Sequence, residues 1–276
     1  MGNQLVFLTP IFVRNRMNKS VNILSAFSVT VLVYLGIISA ASGDPFTDRN
    51  ASDAEFTFVR LVYNSAPAMY QGYGYGMRDS WRVDWPDAEN HFLQGLGRLT
   101  NVNKSAQGKL LSLVDDELFD FPWLYVLEVG SWVLSETEVQ RLRDYLLKGG
   151  FLMIDDFHGS REWAGFIATM RKVFPNRPVH EIDNNHEVLH VFYDLDNRIQ
   201  IPGMYTYWSG NTFEKDGVKP HWRGIYDDEG RLMVAINFNM DIGDAWEHAD
   251  HPDYPEPMTA LAYRFGVNYV IYAMTH

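Results

Sequence analysis

The hydrophobic positions are densest in the middle of the chain, where two apolar runs flank a segment of helical period. The run WLYVLEV covers Trp123–Val129, with Glu128 as its only polar member, and FLMI covers Phe151–Ile154. Continuous apolar runs of this length are typical of strands that are buried on both faces. Because apolar strands joined through a helix pair in parallel, this stretch predicts a strand–helix–strand unit with a right-handed crossover.

The segment between the two runs carries signals for both ends of a helix. Ser135 and Glu138 form the Ser-x-x-Glu pattern of a capping box, which predicts a helix N-terminus there. Gly149 and Gly150 follow in the position where helices end. The apolar stripe between these signals recurs at helical spacing and comprises Val139, Leu142, Tyr145 and Leu146.

The remaining pattern predicts elements on both sides of this unit. Strands are predicted at Glu55–Tyr63, Val188–Phe192, Trp222–Tyr226 and Leu232–Phe238, and helices at Asp87–Leu99, Arg161–Val173 and Glu256–Ala273. The turn residues Asp-Asp-Glu-Gly at 227–230 make the last two strands a hairpin. Residues 55–276 therefore predict a single α/β domain, with a mostly parallel central sheet flanked by helices and an antiparallel hairpin extension.

The N-terminal region, residues 1–43, has the organisation of a secretory signal peptide. Its charge-free stretch, residues 20–43, includes the apolar run Val29–Ile38 and ends in small residues, with a plausible cleavage site at Ser39-Ala40-Ala41. Met17 offers an alternative start that gives a more compact signal. The basic residues that precede the charge-free stretch are Arg14, Arg16 and Lys19.

The alternative for this region is an uncleaved membrane anchor, because the charge-free stretch is long enough to span a bilayer. Both interpretations predict that the following domain is exported, either to the periplasm or anchored to the inner membrane. Residues 44–54 are polar and are expected to be a linker.

The composition excludes several kinds of site and partner. The chain has no cysteine, so disulfides, thiolate metal sites and a cysteine nucleophile are ruled out. Its 35 acidic and 23 basic residues give a formal charge of −12, and no run of Lys or Arg appears after residue 43. An anionic surface repels phosphate backbones and anionic headgroups, so nucleic acid is not an expected partner. Membrane contact is expected only through the N-terminal segment.

The first candidate site follows the predicted strand at Phe151–Ile154. Asp155, Asp156 and His158 fall at its carboxyl end, and ligands of open α/β sheets bind outside that end. Asp156 and His158 are the candidate catalytic groups, because a carboxylate and an imidazole can act as acid and base. Asp155 is a candidate ligand-binding residue. The alternative is that one aspartate caps the next helix while the other faces solvent.

The second candidate site is the segment 241–253, which is predicted to be a loop dense in acids and histidines. Such a set of side chains suits a metal ion or a polar ligand, although its spacing matches no established ligand pattern. The alternative is a solvated acidic loop. If the fold brings this segment over the sheet edge, both candidates form one site. The candidate metal ligands are Asp244, Glu247, His248 and His251, and the other acids are Asp241, Asp250 and Asp253.

A third candidate is a set of aromatic residues, part of it in the glycine–tyrosine run at 71–76. Aromatic side chains in such loops stack on sugars or on partner chains, and the alternative is core packing and loop anchoring. The run is not a phosphate cradle, because its glycines alternate and no Lys-Ser/Thr pair follows. The candidate ligand-binding residues are Tyr73, Tyr75, Trp81 and Trp85, with Tyr205, Tyr207 and Trp208 further along the chain.

Four stretches resemble the DUF4159 family, an uncharacterised family of exported or membrane-attached bacterial domains. The longest is LYVLEVGSWVLSETEVQRLRDYLLKGGFLMIDDFHG at Leu124–Gly159. The others are FTFVRLVY from Phe56, WPDAENHF at Trp85–Phe92 and FGVNYVIYAMTH from Phe265. The resemblance extends over roughly residues 55–276.

The resemblance implies a fold and a site location. The family is similar in architecture to class I glutamine amidotransferases and trehalose-utilisation-type domains, with a flavodoxin-like sheet. In those folds a nucleophile elbow falls at the place of Asp156. The amidotransferase cysteine is missing, so no glutaminase activity is expected. Some relatives look fused to membrane segments and are associated with ATPase and von Willebrand-type systems, which suits an assembly role.

The sequence leaves two functions open and favours the first of them. One is a non-catalytic periplasmic module that binds a polar small-molecule ligand or assembles with a protein, since neither G-x-S-x-G nor S-x-x-K is present. The other is a metal-assisted hydrolase acting on a polar substrate such as a sugar or a peptide, since carboxylates and histidines are concentrated in two segments. The one cofactor that these residues suggest is a divalent metal ion.

Overall fold

The central sheet has seven strands and is mostly parallel. The computed structural model describes residues 54–66 and 79–276. Its strands are β1 (Val59–Val62), β2 (Asn64–Ser65), β3 (Lys109–Ser112), β4 (Trp123–Leu127), β5 (Trp132–Val133), β6 (Phe151–Asp155), β7 (His180–Glu181), β8 (His221–Tyr226) and β9 (Leu232–Phe238). The sheet order is β3-β1-β4-β6-β9-β8-β7, parallel from β3 to β9 and antiparallel at β8 and β7. The predicted α/β fold with a hairpin extension is confirmed, and β2 pairs separately with β5.

The five parallel strands have the order of a doubly wound sheet. Numbered by their own order of appearance, they stand side by side as 2-1-3-4-5, which is the order of flavodoxin-like sheets. The winding reverses between β1 and β4, and ligands of such sheets bind outside the carboxyl ends of the strands near that reversal. This edge of the sheet is therefore where a site is expected.

Helices cover both faces of the sheet, because side chains along each central strand alternate between two apolar layers. The helices are α1 (Asp87–Leu99), α2 (Glu136–Leu147), α3 (Gly159–Val173), α4 (Met204–Trp208), α5 (Ile242–Glu247) and α6 (Glu256–Thr275). Helices α1, α5 and α6 pack on the layer that contains Trp123 and Tyr125. Helices α2 and α3 pack on the layer that contains Leu124 and Val126.

Helix α2 begins and ends where its sequence signals predict. The hydroxyl of Ser135 accepts the Glu138 amide at 3.3 Å, and the Glu138 carboxylate accepts the Ser135 amide at 2.8 Å. Gly149 follows the helix with φ of +110°, a conformation that glycine adopts without a steric penalty. The capping box and the glycine stop are thus confirmed.

One predicted strand is wrong. Val188–Phe192 does not join a sheet, and its first residues lie in a short 3-10 helix at Glu187–Leu189. The Asn268 side chain of α6 donates to the carbonyls of Val188 (3.0 Å) and Tyr193 (2.8 Å). These bonds hold the segment against the helix and use the backbone acceptors that a neighbouring strand would need.

The segment 241–253 is not a continuous loop, because α5 forms inside it. The Asp241 carboxylate accepts the Asp244 amide at 2.8 Å and so caps the first turn. A helix of six residues is too short for hydrophobic periodicity to reveal it.

Three predictions fall outside the described residues: the signal peptide or anchor, the glycine–tyrosine loop, and the linker apart from Ala54. Within 54–66 and 79–276, no helix is long and apolar enough to cross a membrane.

Candidate functional site

Backbone strain is concentrated at the carboxyl edge of the sheet. Among the described residues, five that are not glycine have positive φ: Asp84, Glu128, Asp156, Lys215 and Asn239. Such a backbone costs about 1–2 kcal/mol outside glycine, and it clusters at functional sites. Glu128, Asp156 and Asn239 follow the neighbouring strands β4, β6 and β9. The strain therefore marks this edge as the candidate site.

Asp155 has a structural role at this edge. One of its carboxylate oxygens accepts the amides of Ile242 and Gly243, both at 2.8 Å, and the Tyr125 hydroxyl at 3.2 Å. Burial and the neighbouring charge of Asp156 raise the pKa of Asp155 to about 8. These bonds attach the start of α5 to the end of β6. The ligand-binding role predicted for Asp155 stays a prediction.

Asp156 occupies a strained turn that is fixed on both sides. Its amide donates to the Met240 carbonyl at 3.1 Å, and its carbonyl accepts the Glu128 amide at 3.0 Å. Its carboxylate lies 3.1 Å from Nε2 of the buried His158. Burial lowers the pKa of His158, but the hydrogen bond and charge of Asp156 outweigh it and the net shift is upward. The two predicted catalytic groups are therefore in contact.

The two predicted candidate segments meet in one carboxylate cluster. Asp84, Asp156 and Asp241 each place a carboxylate oxygen within 4.8 Å of the others. Burial raises the pKa of all three carboxyls. Like charges add to this shift for Asp84 and Asp241, where the neighbouring acids include Asp244 and Asp156. Asp84 was not predicted, because it lies outside both acid-rich segments.

Among the described residues, the one basic side chain that pairs directly with this cluster is His158, which contacts Asp156. No Lys or Arg side chain in the described part of the chain forms an ion pair with Asp84, Asp156 or Asp241. One buried oxygen of Asp84 and one of Glu128 have no hydrogen-bond partner there. Burial and the charge of Asp156 raise the pKa of Glu128 well above its usual range. The arrangement is electrostatically unfavourable as long as the carboxyls are ionised and no cation is bound.

A second group of potential metal ligands comprises two residues of α5 and the residue that follows this helix. Asp244, Glu247 and His248 also offer ligand atoms within 4.8 Å of one another, and their i, i+3, i+4 spacing puts them on one helix face. The Asp244 carboxylate lies 3.1 Å from His248 Nε2 and also accepts the Met204 amide. His251 is outside this group, although its ring centroid is 6.0 Å from that of His248.

A buried arginine that the sequence analysis missed fixes the segment before Asp84. Arg60 lies in β1 with almost no exposed surface and forms an ion pair with Glu89 of α1. It also donates to the carbonyls of Trp81 (3.0 Å) and Val83 (2.7 Å). The signal was present in the sequence, since a charged residue inside the apolar run FTFVRLVY needs a buried partner.

Two glycines allow the carboxylates to approach the backbone. A Cβ atom at Gly203 would lie 2.6 Å from a carboxylate oxygen of Asp241, and one at Gly243 would lie 2.7 Å from a carboxylate oxygen of Asp84. Real Cβ atoms do not come this close, and at Gly243 a Cβ would also lie 2.4 Å from the Tyr125 hydroxyl. Both positions therefore require glycine unless these side chains move.

The predicted aromatic residues that the structure describes lie on two segments, one that carries Asp84 and one, α4, that is bonded by Asp244. Trp81 and Trp85 flank Asp84 in the chain, with ring centroids 6.5 Å apart and the Arg82 guanidinium over both. The other aromatic group extends into solvent from α4, whose first amide is bound by Asp244. This group consists of Tyr205, Tyr207 and Trp208. Tyr73 and Tyr75 lie outside the described residues.

A family model for a domain of unknown function, DUF4159, matches residues 57–274. The chain belongs to the DUF4159 family. A comparison with curated proteins finds no match. The glutamine amidotransferase-like architecture implied by the resemblance stays a prediction. Because the family description carries no activity, the function of this DUF4159 domain has to be argued from its site.

Proposed function

We propose that this DUF4159 domain binds a divalent cation on Asp84, Asp156 and Asp241 and uses it to hydrolyse a polar substrate. The observation that carries the proposal is the approach of three carboxylates to within 4.8 Å without a Lys or Arg ion pair in the described part of the chain. A divalent cation offsets both the burial and the mutual repulsion of such a group. An all-oxygen donor set suits hard cations such as Mg²⁺, Mn²⁺ or Ca²⁺.

The neighbouring residues fit hydrolytic chemistry. A bound cation would lower the pKa of a coordinated water and polarise a carbonyl or phosphoryl group. Asp156 is held in a fixed orientation by its backbone bonds and by His158 Nε2. Glu128 has a pKa raised by burial and by Asp156, which suits a carboxyl that takes a proton from water and returns it to a leaving group. The substrate class we propose is a sugar or a peptide.

A non-catalytic module that binds a polar ligand or assembles with a protein is the second candidate function. It is favoured by α4, where Tyr205 is 82% and Trp208 is 51% exposed. Large aromatic side chains left in solvent are typical of binding surfaces. In both cases we propose that the domain works after export, in the periplasm or anchored to the inner membrane, as the sequence of residues 1–43 predicts.

A cation titration of the full-length protein tests the proposal. We expect saturable Mn²⁺ binding after EDTA treatment and dialysis, weakened at least about tenfold by Asp156→Asn and by Asp84→Asn. Asp253→Asn is the matched control, because this exposed acid belongs to neither carboxylate group. Wild-type protein that binds no cation, or variants that bind as tightly as the control, would contradict the proposal.

Turnover separates the two candidate functions. With Mn²⁺ present, a panel of glycosides and peptides should include a substrate that the wild type cleaves and Asp156→Asn does not. Cation binding without turnover of any panel member favours the binding module.

A further inference from the structure

A cavity of about 490 Å³ opens between the start of α3, residues 216–219 and the strands β8 and β9. Trp163 and Phe238 form its apolar wall, and Lys219, His221 and Arg223 supply basic side chains. A cavity lined by three basic side chains is unusual for a chain with a formal charge of −12.

The cavity begins directly after the strained turn at Asp156. Asn239, which lines it, donates its amide to the Phe157 carbonyl at 3.1 Å and accepts the Gly159 amide on its side chain at 2.9 Å. Gly159 is also part of the lining and lies three positions after Asp156. The lining thus includes residues that follow directly on the two strained turns at Asp156 and Asn239.

The acidic groups near the cavity are already engaged. Asp216, the one acid that lines the cavity, accepts the Ser160 amide at the start of α3 at 2.8 Å. A single Glu181 oxygen lies 2.8 Å from His221 Nδ1 and 2.7 Å from Arg223 Nε, and both of these side chains line the cavity. One glutamate is thus shared between two basic side chains.

The basic groups retain unused donors. Lys219 forms no ion pair within the described part of the chain. The Arg223 guanidinium lies 4.4 Å from the Trp163 ring centroid and 5.5 Å from that of Phe238. Both rings are within cation–π distance of the guanidinium. Its Nη1 donors have no partner among the described residues, and a guanidinium carries five N–H donors in all.

We propose that this cavity is a subsite for an anionic group of the substrate, a phosphate or a carboxylate, bound by Lys219 and Arg223. The proposal rests on the proposed function, because it assigns the other end of the same substrate to the carboxylate cluster. Anionic oxygens match the planar donor set of an arginine and the point charge of a lysine.

The test is a titration of the full-length protein with inorganic phosphate and, separately, with acetate, both in EDTA. We expect saturable binding of at least one probe, weakened about fivefold or more by Lys219→Glu and by Arg223→Gln. Lys172→Glu is the matched control, since it makes the same charge change at the exposed far end of α3, and we expect it to change affinity less than about twofold. The probe that binds identifies the anion class.

Asp156→Asn separates this proposal from the cation centre. It should leave anion binding intact or strengthen it slightly, because a nearby negative charge is removed. The proposal is overturned if neither probe saturates up to about 50 mM, if Lys219→Glu behaves like Lys172→Glu, or if Asp156→Asn abolishes anion binding. Failure of the proposed function has a different signature, which is the absence of Mn²⁺ binding.

Discussion

The acidic residues at the two edges of the sheet differ in whether they pair with arginines. At the hairpin between β8 and β9, Asp227 pairs with Arg231 at 3.0 Å and Asp228 pairs with Arg177 at 3.0 Å. At the carboxyl edge, Asp84 and Asp241 lie close to each other without such partners in the described part of the chain. Acid density is therefore a poor guide to function in this protein. The distinguishing property is whether the chain itself supplies the opposite charge.

The hairpin also shows what paired charge does in this fold. Arg231 bonds Asp227 and donates to the carbonyls of Leu146, Gly149 and Gly150 at the end of α2. It thereby joins the hairpin to the strand–helix–strand unit. Paired acids at the hairpin stabilise the fold. We expect the carboxylate cluster to lower stability instead, and such a trade-off is common at functional sites.

Among the substitutions, the largest effect on stability is expected at the most deeply buried ion pair. Arg60→Met leaves Glu89 buried without its partner, and we expect the free energy of unfolding to fall by about 3–5 kcal/mol. Urea unfolding of the full-length protein measures it. The double variant Arg60→Met with Glu89→Met should recover most of the loss. A single variant that costs less than about 1 kcal/mol would show that the ion pair contributes little.

The hairpin pair should matter less, because it is partly exposed to water. We expect Arg231→Met to lower the free energy of unfolding by about 2 kcal/mol, mainly through the lost hydrogen bonds to α2. Its Mn²⁺ affinity should equal that of the wild type. A large change in Mn²⁺ affinity would mean that the two edges are coupled, which contradicts the comparison.

The pH dependence of stability follows from the buried acids. An acid whose pKa is higher in the folded state contributes stability that is full at low pH and is lost as the pH rises from the unfolded to the folded pKa. For Asp155 this window runs from 3.8 to about 8, and the pKa of Asp84, Glu128 and Asp241 is raised in the same direction.

Metal-free protein should therefore be less stable at pH 7.5 than at pH 5.5. The expected slope is about 1.4 kcal/mol per pH unit for each carboxyl that titrates in the window. Urea unfolding in EDTA at several pH values measures this slope, and saturating Mn²⁺ should reduce it. Stability that rises over this range would contradict the described electrostatics.

Neutralising one carboxyl of the cluster should change stability less, and should raise it rather than lower it. Asp84→Asn keeps a residue that tolerates the left-handed backbone and removes one unpaired charge. We expect the metal-free protein to become more stable by about 1 kcal/mol while Mn²⁺ binding weakens. Asp227→Asn is the matched control and should lower stability. If both variants are destabilised alike, the two edges do not differ as described.

The smallest effect is expected from moving a carboxylate without removing it. Gly203 has φ of −63°, so alanine fits its backbone, but the new Cβ would push the Asp241 carboxylate. We expect Gly203→Ala to weaken Mn²⁺ binding about threefold. Gly97→Ala is the control, because the new Cβ would meet only the end of the Lys104 side chain. It should leave Mn²⁺ affinity unchanged.

Much of the fold was predictable because its signals are local. The capping box at Ser135 and Glu138 and the apolar runs of β4 and β6 depend on neighbouring residues, and all of these elements form as predicted. The wrong strand at 188–192 shows the limit of such signals. There the backbone is bonded to a side-chain amide of α6, far along the chain, which no local pattern indicates.

The site was predictable only in part, because it joins residues far apart in sequence. The carboxyl end of β6 and the segment 241–253 could each be picked out by composition, but their contact depends on the sheet order. Asp84 had no local signal, because its role follows from the buried Arg60 that anchors the residues before it. Long-range packing of this kind is not encoded in any single window of sequence.

The most direct test of the central claim is the anomalous difference map of a crystal soaked in Mn²⁺. We expect a manganese peak bound by carboxylate oxygens of Asp84, Asp156 and Asp241, absent from Asp84→Asn crystals soaked in the same way. A map with no peak at this position, or with peaks only at the hairpin acids Asp227 and Asp228, would contradict it.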